Sequence, residues 1–142
     1  MKIGVIGAGA AGLIAGAFAA KGGASVDIID RNEKTGKKLF LTGKGRCNVT
    51  NDCVDLNALI SAVPVNGRFL YSAFSRFMPA DTMNFFESQH VPLKTERGNR
   101  VFPVSDRSQT VLDALERFLR EHHVCVLPRR AEQIAVSDGR VT

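Results

Sequence analysis

Three glycines near the start of the chain have the spacing of a turn that binds a dinucleotide. They belong to the string Gly7-Ala8-Gly9-Ala10-Ala11-Gly12, which lies between an apolar run and an alanine-rich stretch. In such a turn the first glycine permits a tight bend, the second lets the backbone approach a pyrophosphate, and the third lets the next helix pack closely. Free N–H groups and the positive dipole end of that helix then face the anion. Glycine-rich turns are common, so the string is informative only through the elements around it.

An acidic residue, Asp30, lies where a ribose-binding carboxylate is expected. It closes a second apolar run, at about the usual distance of 20 residues from the glycines. A carboxylate there accepts hydrogen bonds from the hydroxyl groups of an adenosine ribose. The alternative is that Asp30 merely ends a strand. The glycines and the acid together favour dinucleotide binding.

A second group of residues combines cations, glycines and small polar side chains. It comprises Lys37-Lys38-Leu39 and the string Thr42-Gly43-Lys44-Gly45-Arg46-Cys47-Asn48-Val49-Thr50-Asn51. This composition can form a cradle of backbone N–H groups for an anion. If the segment folds back over the glycine turn, its charge meets a diphosphate from the other side. A mobile, solvated basic loop explains the composition equally well.

The positive charge of the chain is concentrated in this region. The net charge is +5. Residues 31–46 contain the cations Arg31, Lys34, Lys37, Lys38, Lys44 and Arg46 against the single acid Glu33, while the rest of the chain is balanced. The excess charge therefore predicts a local anionic partner and not a long polyanion spread over the surface.

The elements that position these residues follow from the hydrophobic pattern. Residues 2–6 and 25–30 are predicted strands of a buried parallel sheet, with a helix over residues 10–21 between them. This order is a βαβ unit with a right-handed crossover. The predicted fold class is α/β, Rossmann-like, with a parallel sheet, a βαβ start and a glycine-rich turn.

The remainder of the chain is predicted as an irregular segment followed by shorter elements. Residues 31–55 show no helical or strand period, and irregular segments of this length are usually functional or disordered. Helices are predicted at 56–63, 67–77 and 81–90, separated by Pro64, Pro79 and Pro92, and a hairpin is predicted from 93–96 and 100–102. A helix at 106–122, with Asp106 and Gln109 as a capping box, is followed by a strand at 124–127. The last predicted element is a hairpin of 131–137 with 140 onward, around Asp138-Gly139. The sequence stops within that hairpin, so we expect a chain truncated at the C-terminus. The predicted domain is 1–142, with a helical insert at about 56–105.

Composition argues against a membrane, a metal and a secretory route. The uncharged run from Ile3 to Ala20 is broken by glycines and lacks a basic leader, so no membrane partner is expected. Cys47, Cys53 and Cys125 cannot all pair within one chain, which favours a reduced, cytoplasmic setting. The cysteines and histidines lack zinc-site spacing, so no metal is expected.

Several strings resemble the YhiN/BaiN-type flavoprotein family. They are Gly36-Lys37-Lys38-Leu39, Gly45-Arg46-Cys47-Asn48-Val49-Thr50-Asn51, Asn66-Gly67-Arg68-Phe69-Leu70-Tyr71-Ser72-Ala73-Phe74, Arg100-Val101-Phe102-Pro103 and Val111-Leu112-Asp113-Ala114-Leu115. With the βαβ start, the resemblance covers essentially the whole chain. The G-x-G-R-C-N-x-T-N string is far more specific than the glycine turn. Lys44 departs from the family, which often has another glycine there, and the family's later Ala-Thr-Gly-type and C-terminal flavin-contacting segments are absent.

The resemblance implies a Rossmann-like FAD-binding domain of an NAD(P)/FAD-dependent oxidoreductase. It implies that Gly7 to Gly12 hold the FAD diphosphate, that Asp30 holds the ribose, and that Ala131 lies beside the adenine. It places along the cofactor toward the flavin the residues Arg31, Lys38, Leu39, Thr42, Gly43, Gly45, Arg46, Cys47 and Asn48. Implied partners of the full-length protein are NAD(P)H and a small-molecule substrate. We expect Arg46 to favour the anionic reduced flavin. The catalytic acid or base is not predicted, since Tyr71, Arg100 and Cys47 are candidates only by proximity to family motifs.

Three other classes of protein stay open as alternatives. A flavin disulfide reductase needs a C-x4-C pair, whereas five residues separate Cys47 from Cys53. A plain NAD-binding Rossmann protein needs a prompt third βα unit, and a long basic segment stands there instead. A nucleic-acid-binding module needs aromatic side chains for base stacking, and the basic segment contains only Phe40, so no nucleic-acid partner is expected.

Overall fold

A computed structural model describes residues 1–138 and 140–141. The strands are β1 (Lys2–Ile6), β2 (Ser25–Asp30), β3 (Thr50–Asn51), β4 (Leu93–Glu96), β5 (Arg100–Pro103), β6 (Cys125–Pro128), β7 (Val136–Ser137) and β8 (Arg140–Val141). The α-helices are α1 (Ala10–Lys21), α2 (Leu56–Ser61), α3 (Tyr71–Phe74), α4 (Pro79–Ser88) and α5 (Ser108–Glu121), and two 3₁₀ helices lie at Leu39–Gly45 and Gly67–Leu70. The chain forms two compact units, Met1–Leu39 with Leu115–Thr142, and Phe40–Ala114.

The first unit is built on a parallel sheet in the order β1-β2-β6. β1 and β2 pair from Lys2 opposite Ser25 to Ile6 opposite Ile29, and β6 lies along the other edge of β2. Helix α1 packs on β1 and β2, and Leu13, Ala17 and Ile28 are fully buried. The predicted α/β, Rossmann-like fold class and the bounds of β1, α1 and β2 are confirmed.

The second unit contains an antiparallel sheet in the order β3-β5-β4. The predicted hairpin of β4 and β5 is confirmed, with Glu96 opposite Arg100 and β5 reaching Pro103. Val101 and Phe102 of β5 are buried, as are Phe85 and Phe86 of α4. The large apolar side chains of this segment thus form a core for the hairpin.

Two predicted helix starts are wrong, each for a local reason. Helix α4 begins at Pro79 and not at residue 81, because proline is favoured in the first helical turn. Helix α5 begins at Ser108, because Asp106 has a left-handed backbone (φ 53) and is not a helix cap. The Asp106 carboxylate accepts a hydrogen bond from Lys94 instead, so the predicted capping box with Gln109 is absent from this part of the described chain.

Other boundaries shift more modestly. The predicted irregular segment contains the 3₁₀ helix Leu39–Gly45 and strand β3, and the helix predicted over 67–77 divides into the 3₁₀ helix Gly67–Leu70 and α3. Helix α2 ends at Ser61, and β6 lies one residue later than predicted. In the last hairpin β7 pairs with β8, while Gly139 of the predicted turn lies outside the described residues.

None of the helices in the described part of the chain is long and apolar enough to cross a membrane. The predicted helical insert at about 56–105 within one domain 1–142 stays a prediction.

Candidate cofactor-binding site

The glycine turn joins β1 to α1. Gly7 has φ 102, a backbone conformation that favours glycine, and its N–H donates to the Ile29 carbonyl at 2.7 Å. A Cβ on Gly12 would overlap the Gly7 carbonyl oxygen, so only glycine fits there. Gly9 is the residue before α1, and the first turn of that helix contains no acid. The first turn of α1 therefore suits an anion at its N-terminus.

Asp30 lies at the end of β2 and contacts this turn directly. Its Oδ2 accepts a hydrogen bond from the Ala8 N–H at 2.7 Å. Its Oδ1 accepts hydrogen bonds from the Asn32 backbone N–H at 2.7 Å and from Asn32 Nδ2 at 2.8 Å. These hydrogen bonds, led by the one from the Asn32 backbone, lower the pKa of the Asp30 carboxyl below its ordinary value of 3.8. Asp30 is therefore ionised at neutral pH and can accept hydrogen bonds from ribose hydroxyl groups.

A cleft of about 290 Å³ opens at the carboxyl ends of the parallel strands. Four of the predicted site residues line it: Gly7, Asp30, Arg31 and Ala131. The other lining residues are Ile6, Ile29, Asn32, Arg129 and Arg130. Ligands of open α/β sheets bind at this edge. Arg129 and Arg130 were not predicted as site residues. Their position directly after a strand of the sheet is the signal that could have identified them.

The segment after Asp30 returns to the glycine turn. The Gly36 N–H donates to the carbonyl oxygen of the buried Ala8 at 2.8 Å, and the Thr35 hydroxyl donates to the Glu116 carboxylate. Lys38 and Arg31 are exposed, and Leu39 is half-buried. The first part of the basic segment is thus anchored beside Ala8.

Residues 42–48 of the second unit have an unusual backbone. Gly43, Lys44, Gly45 and Cys47 all have positive φ, between 57° and 87°. Elsewhere in the described chain the non-glycine residues with positive φ are Asn66, His90, Asn99, Asp106, His123 and Asp138, which are residue types that tolerate this conformation. Lys44 and Cys47 are not. Backbone strain is therefore concentrated in this loop, and such strain clusters at ligand-binding sites.

Arg46 is fixed to the β4–β5 hairpin by what we call the Arg46 cluster: Arg46, Lys94, Glu96, Phe102 and Asp106. Arg46 Nη1 lies 2.8 Å from Glu96 Oε1 and 3.4 Å from Asp106 Oδ1. Lys94 Nζ lies 2.6 Å from Asp106 Oδ2 and 3.6 Å from Glu96 Oε1. The guanidinium carbon of Arg46 lies 4.1 Å from the centre of the Phe102 ring, a cation–π contact.

The charges of the Arg46 cluster balance. The hydrogen bond from Arg46 lowers the pKa of Glu96, and the hydrogen bond from Lys94 lowers the pKa of Asp106. The same contacts raise the pKa values of Arg46 and Lys94. All four groups are ionised at neutral pH, and two cations face two carboxylates. Arg46 is thus oriented, but much of its field is cancelled locally.

Cys47 and Asn48 complete the loop. Cys47 is buried, and burial raises the pKa of its thiol, so the thiol is neutral. Asn48, with its amide oriented for hydrogen bonding, donates to the carbonyl oxygens of Val101 and Thr50. The Cys47 N–H donates to the Thr42 carbonyl at 3.1 Å. Cys47 is therefore a structural residue of the loop and a poor nucleophile.

The other candidates are dispersed. Arg100 Nε donates to the Arg97 carbonyl at 3.0 Å, and Tyr71 lies at the start of α3. Cys47, Cys53 and Cys125 are free thiols. Within residues 1–138 and 140–141, no three His, Cys, Asp or Glu side chains are grouped as metal ligands.

Comparisons with known proteins agree with this geometry. Residues 1–141 match the family described as HI0933-like protein Rossmann domain. The chain is 38% identical over 125 residues to the 3-dehydro-bile acid delta(4,6)-reductase of Clostridium scindens, which covers 87% of this chain and 30% of that protein. It is 34% identical over 111 residues to the ribosomal RNA dihydrouridine synthase of Escherichia coli, covering 78% of this chain and 27% of that protein.

Solved structures share the fold at low sequence identity. The crystal structure of THI4 from Thermovibrio ammonificans matches with a TM-score of 0.60 and 12% identity, over 99% of this chain and 44% of that one. An oxidoreductase from Methanosarcina mazei matches with a TM-score of 0.57 and 15% identity, over 99% of this chain and 54% of that one. The chain therefore spans about 30% of the length of its curated relatives. It belongs to the HI0933-like flavoprotein family and supplies the Rossmann fold that binds FAD.

Proposed function

We propose that the chain is the FAD-binding part of a flavin-dependent oxidoreductase that uses NAD(P)H to reduce a small-molecule substrate. One observation carries the proposal. The ionised carboxylate of Asp30 is held against the glycine turn, at the edge of the sheet where Gly7, Arg31 and Ala131 line one cleft. This is the arrangement that binds the adenosine end of a dinucleotide.

The residues of the first unit fit that end of FAD. Asp30 would accept hydrogen bonds from the ribose, and the N-terminus of α1 would bind the diphosphate between Gly7 and Gly12. Ala131 would lie beside the adenine. Arg31, Lys38 and Leu39 would continue along the cofactor. Arg129 and Arg130 add positive charge to the same cleft, which favours a polyanionic ligand.

The strained loop of the second unit would serve the flavin end. We assign Thr42, Gly43, Gly45, Arg46, Cys47 and Asn48 to this role. The concentration of positive φ in the loop supports the assignment, because such strain persists only where surrounding contacts hold it. When bound, FAD supplies the hydride and electron transfer, while the protein binds and orients it.

The names of the relatives suggest a reaction class. One relative is named a delta(4,6)-reductase and another a dihydrouridine synthase, and both names denote reduction of the substrate. We propose the same class of reaction here, with NAD(P)H as the source of the hydride and water as the source of the proton. The free thiols Cys47, Cys53 and Cys125 support a cytoplasmic location.

A nucleic-acid substrate is the second candidate, because two relatives are named as ribosomal RNA dihydrouridine synthases, from Escherichia coli and Haemophilus influenzae. The local concentration of positive charge and the scarcity of aromatic residues beside it argue for a small molecule. Titration with a uridine-containing RNA at two salt concentrations separates the two candidates. RNA binding would weaken steeply as salt is raised.

The proposal is tested by titrating the chain with FAD and following the quenching of flavin fluorescence. We expect Asp30→Ala to weaken FAD binding about tenfold or more, because two charge-assisted hydrogen bonds to the ribose are lost. Asp27→Ala is the matched control, since Asp27 lies on the same strand outside the cleft and its carboxylate forms an ion pair with Lys2 at 3.5 Å. Equal affinities for the two variants would exclude Asp30 as a ribose ligand.

A further inference from the structure

The helical segment between β3 and α4 leaves all of its residues at least partly exposed. None of the residues in α2, in the 3₁₀ helix Gly67–Leu70 or in α3 is buried. Apolar side chains are nevertheless frequent, and Val65 and Phe69 are 73% and 86% exposed. The segment includes the string from Asn66 to Phe74, which the predicted cofactor site does not use. A large apolar surface rimmed by polar residues is typical of a binding site.

A pocket of about 510 Å³ lies within this segment. It is lined by Asn57, Ile60, Ser61, Arg68 and Tyr71. Ile60 and the Tyr71 ring are apolar, Asn57 and Ser61 can form hydrogen bonds, and Arg68 is the only charged lining residue. Ligand pockets of this size typically combine an apolar wall with a few convergent polar groups.

The charge of Arg68 is not balanced inside the pocket. Its guanidinium forms no ion pair or side-chain hydrogen bond with any residue that the structure describes, in contrast to Arg46. A guanidinium presents a planar fork of donors that matches a carboxylate in two parallel hydrogen bonds. The pocket therefore offers a recognition group for an anion beside an apolar wall.

The walls of the pocket are held together by backbone packing. Gly67 approaches α2 so closely that a Cβ on it would overlap the Ile60 carbonyl oxygen and lie 3.3 Å from the Val63 Cβ. The Phe69 N–H donates to the carbonyl of Asn66, which has φ 55. The backbone that carries Arg68 is thereby held close to α2 before any ligand arrives, while its side chain stays exposed. Such preorganisation reduces the entropy lost on binding.

We infer that this pocket binds a small carboxylate with an apolar body. The carboxylate lies on the Arg68 guanidinium, and the apolar body packs against Ile60 and the Tyr71 ring. Asn57 and Ser61 donate to the second lone pairs of the same carboxylate oxygens. The pocket shares no residue with the predicted FAD contacts. The inference therefore goes beyond the proposed function and stands or falls independently of FAD.

The chain contains its own probe for this site. Tyr71 is the only tyrosine and there is no tryptophan, so tyrosine fluorescence reports on the pocket. Titration of the full chain with adamantane-1-carboxylate, which is rigid, apolar and transparent in the near ultraviolet, is expected to give a saturable change with a Kd on the order of 1 mM. The neutral isostere adamantane-1-carboxamide is expected to bind about tenfold more weakly.

Variants decide whether Arg68 is the anion ligand. Arg68→Gln should weaken carboxylate binding about tenfold or more and leave the weak binding of the carboxamide unchanged. Arg76→Gln, which removes another exposed arginine of the same segment, should bind the carboxylate as the wild type does. Far-UV circular dichroism confirms that each variant is folded. Arg68→Lys keeps the positive charge but loses the planar fork of guanidinium donors. The inference is overturned by a non-saturable change, by equal affinity for acid and amide, or by equal effects of the Arg68 and Arg76 substitutions.

Discussion

The carboxylate of Asp30 stabilises the glycine turn as well as offering a ligand contact. It accepts hydrogen bonds from Ala8 and Asn32, so it fixes the position of the turn that would hold the diphosphate. The sequence predicted Asp30 as a site residue from its spacing alone. It could not predict that the Ala8 N–H already binds the carboxylate, because that contact depends on how tightly β1 and β2 end beside each other.

These hydrogen bonds predict a pH dependence of stability. The folded-state pKa of Asp30 is lowered, so its contribution is fully present above the ordinary value of 3.8 and is lost as the pH falls through the folded value. We expect Asp30→Asn to reduce the free energy of unfolding at pH 7 by about 1 kcal/mol after solvent screening. Urea denaturation should show this difference unchanged from pH 7 to about 5 and shrinking as the pH falls further toward 3. A difference that does not change with pH would contradict the assignment.

Lys44 is the second informative residue, because its backbone favours glycine. It has φ 58, which costs a side-chain-bearing residue about 1 kcal/mol, and it stands where the resembling family often has glycine. Lys44→Gly is expected to raise the free energy of unfolding by up to about 1 kcal/mol. Lys38→Gly, at another exposed lysine without positive φ, should lower it. Urea midpoints compare the two, and destabilisation by Lys44→Gly would show that the lysine side chain itself supports the loop.

The elements that were predicted well are those whose limits depend on the pattern of neighbouring residues in the sequence. β1, α1 and β2 are short apolar or alanine-rich runs bounded by glycines, so their limits were read from neighbouring residues. The start of α5 was missed because Asp106 pairs with Lys94 and Arg46, residues far away in sequence. The same long-range pairing explains why the Arg46 cluster could not be predicted from the spacing of its charges.

The close contact of α1 with the glycine turn makes Gly12 sensitive to substitution. A Cβ at Gly12 would overlap the Gly7 carbonyl, and a backbone atom cannot move aside as a side chain can. We expect Gly12→Ala to lower the free energy of unfolding by about 3 kcal/mol. Gly4→Ala in β1 is the control, because a Cβ there meets no atom of the described chain within 4 Å. Thermal denaturation of both variants tests this, and similar melting temperatures would be inconsistent with the packing described.

The Arg46 cluster should control the mobility of the loop at residues 42–48. Glu96→Gln removes the charge that holds Arg46 Nη1 at 2.8 Å, so amide hydrogen exchange in the loop should become several-fold faster. Glu87→Gln, on exposed surface of α4, should leave exchange in the loop unchanged. High salt should reproduce part of the effect in the wild type, because exposed ion pairs are screened. Unchanged exchange in Glu96→Gln would show that the backbone and the Phe102 contact are enough to hold the loop.

The molecule as a whole combines a Rossmann unit with a second unit that carries the strained loop. The family and the α/β class could be predicted because strings of family-specific residues occur in both units of the chain. Arg129 and Arg130, which add charge to the cleft, were not predictable, because their role depends on where β6 ends in the sheet. The matched segment covers 30% of the Clostridium scindens reductase, so that relative is about three times as long as this chain.

An absorbance spectrum shows whether this chain carries an FAD site. The purified chain is mixed with FAD, passed through a gel-filtration column to remove free cofactor, and scanned. We expect bands at roughly 375 and 450 nm, which belong to the oxidised flavin itself, to elute with the protein. A colourless protein peak, with all of the flavin in the free fraction, would contradict it.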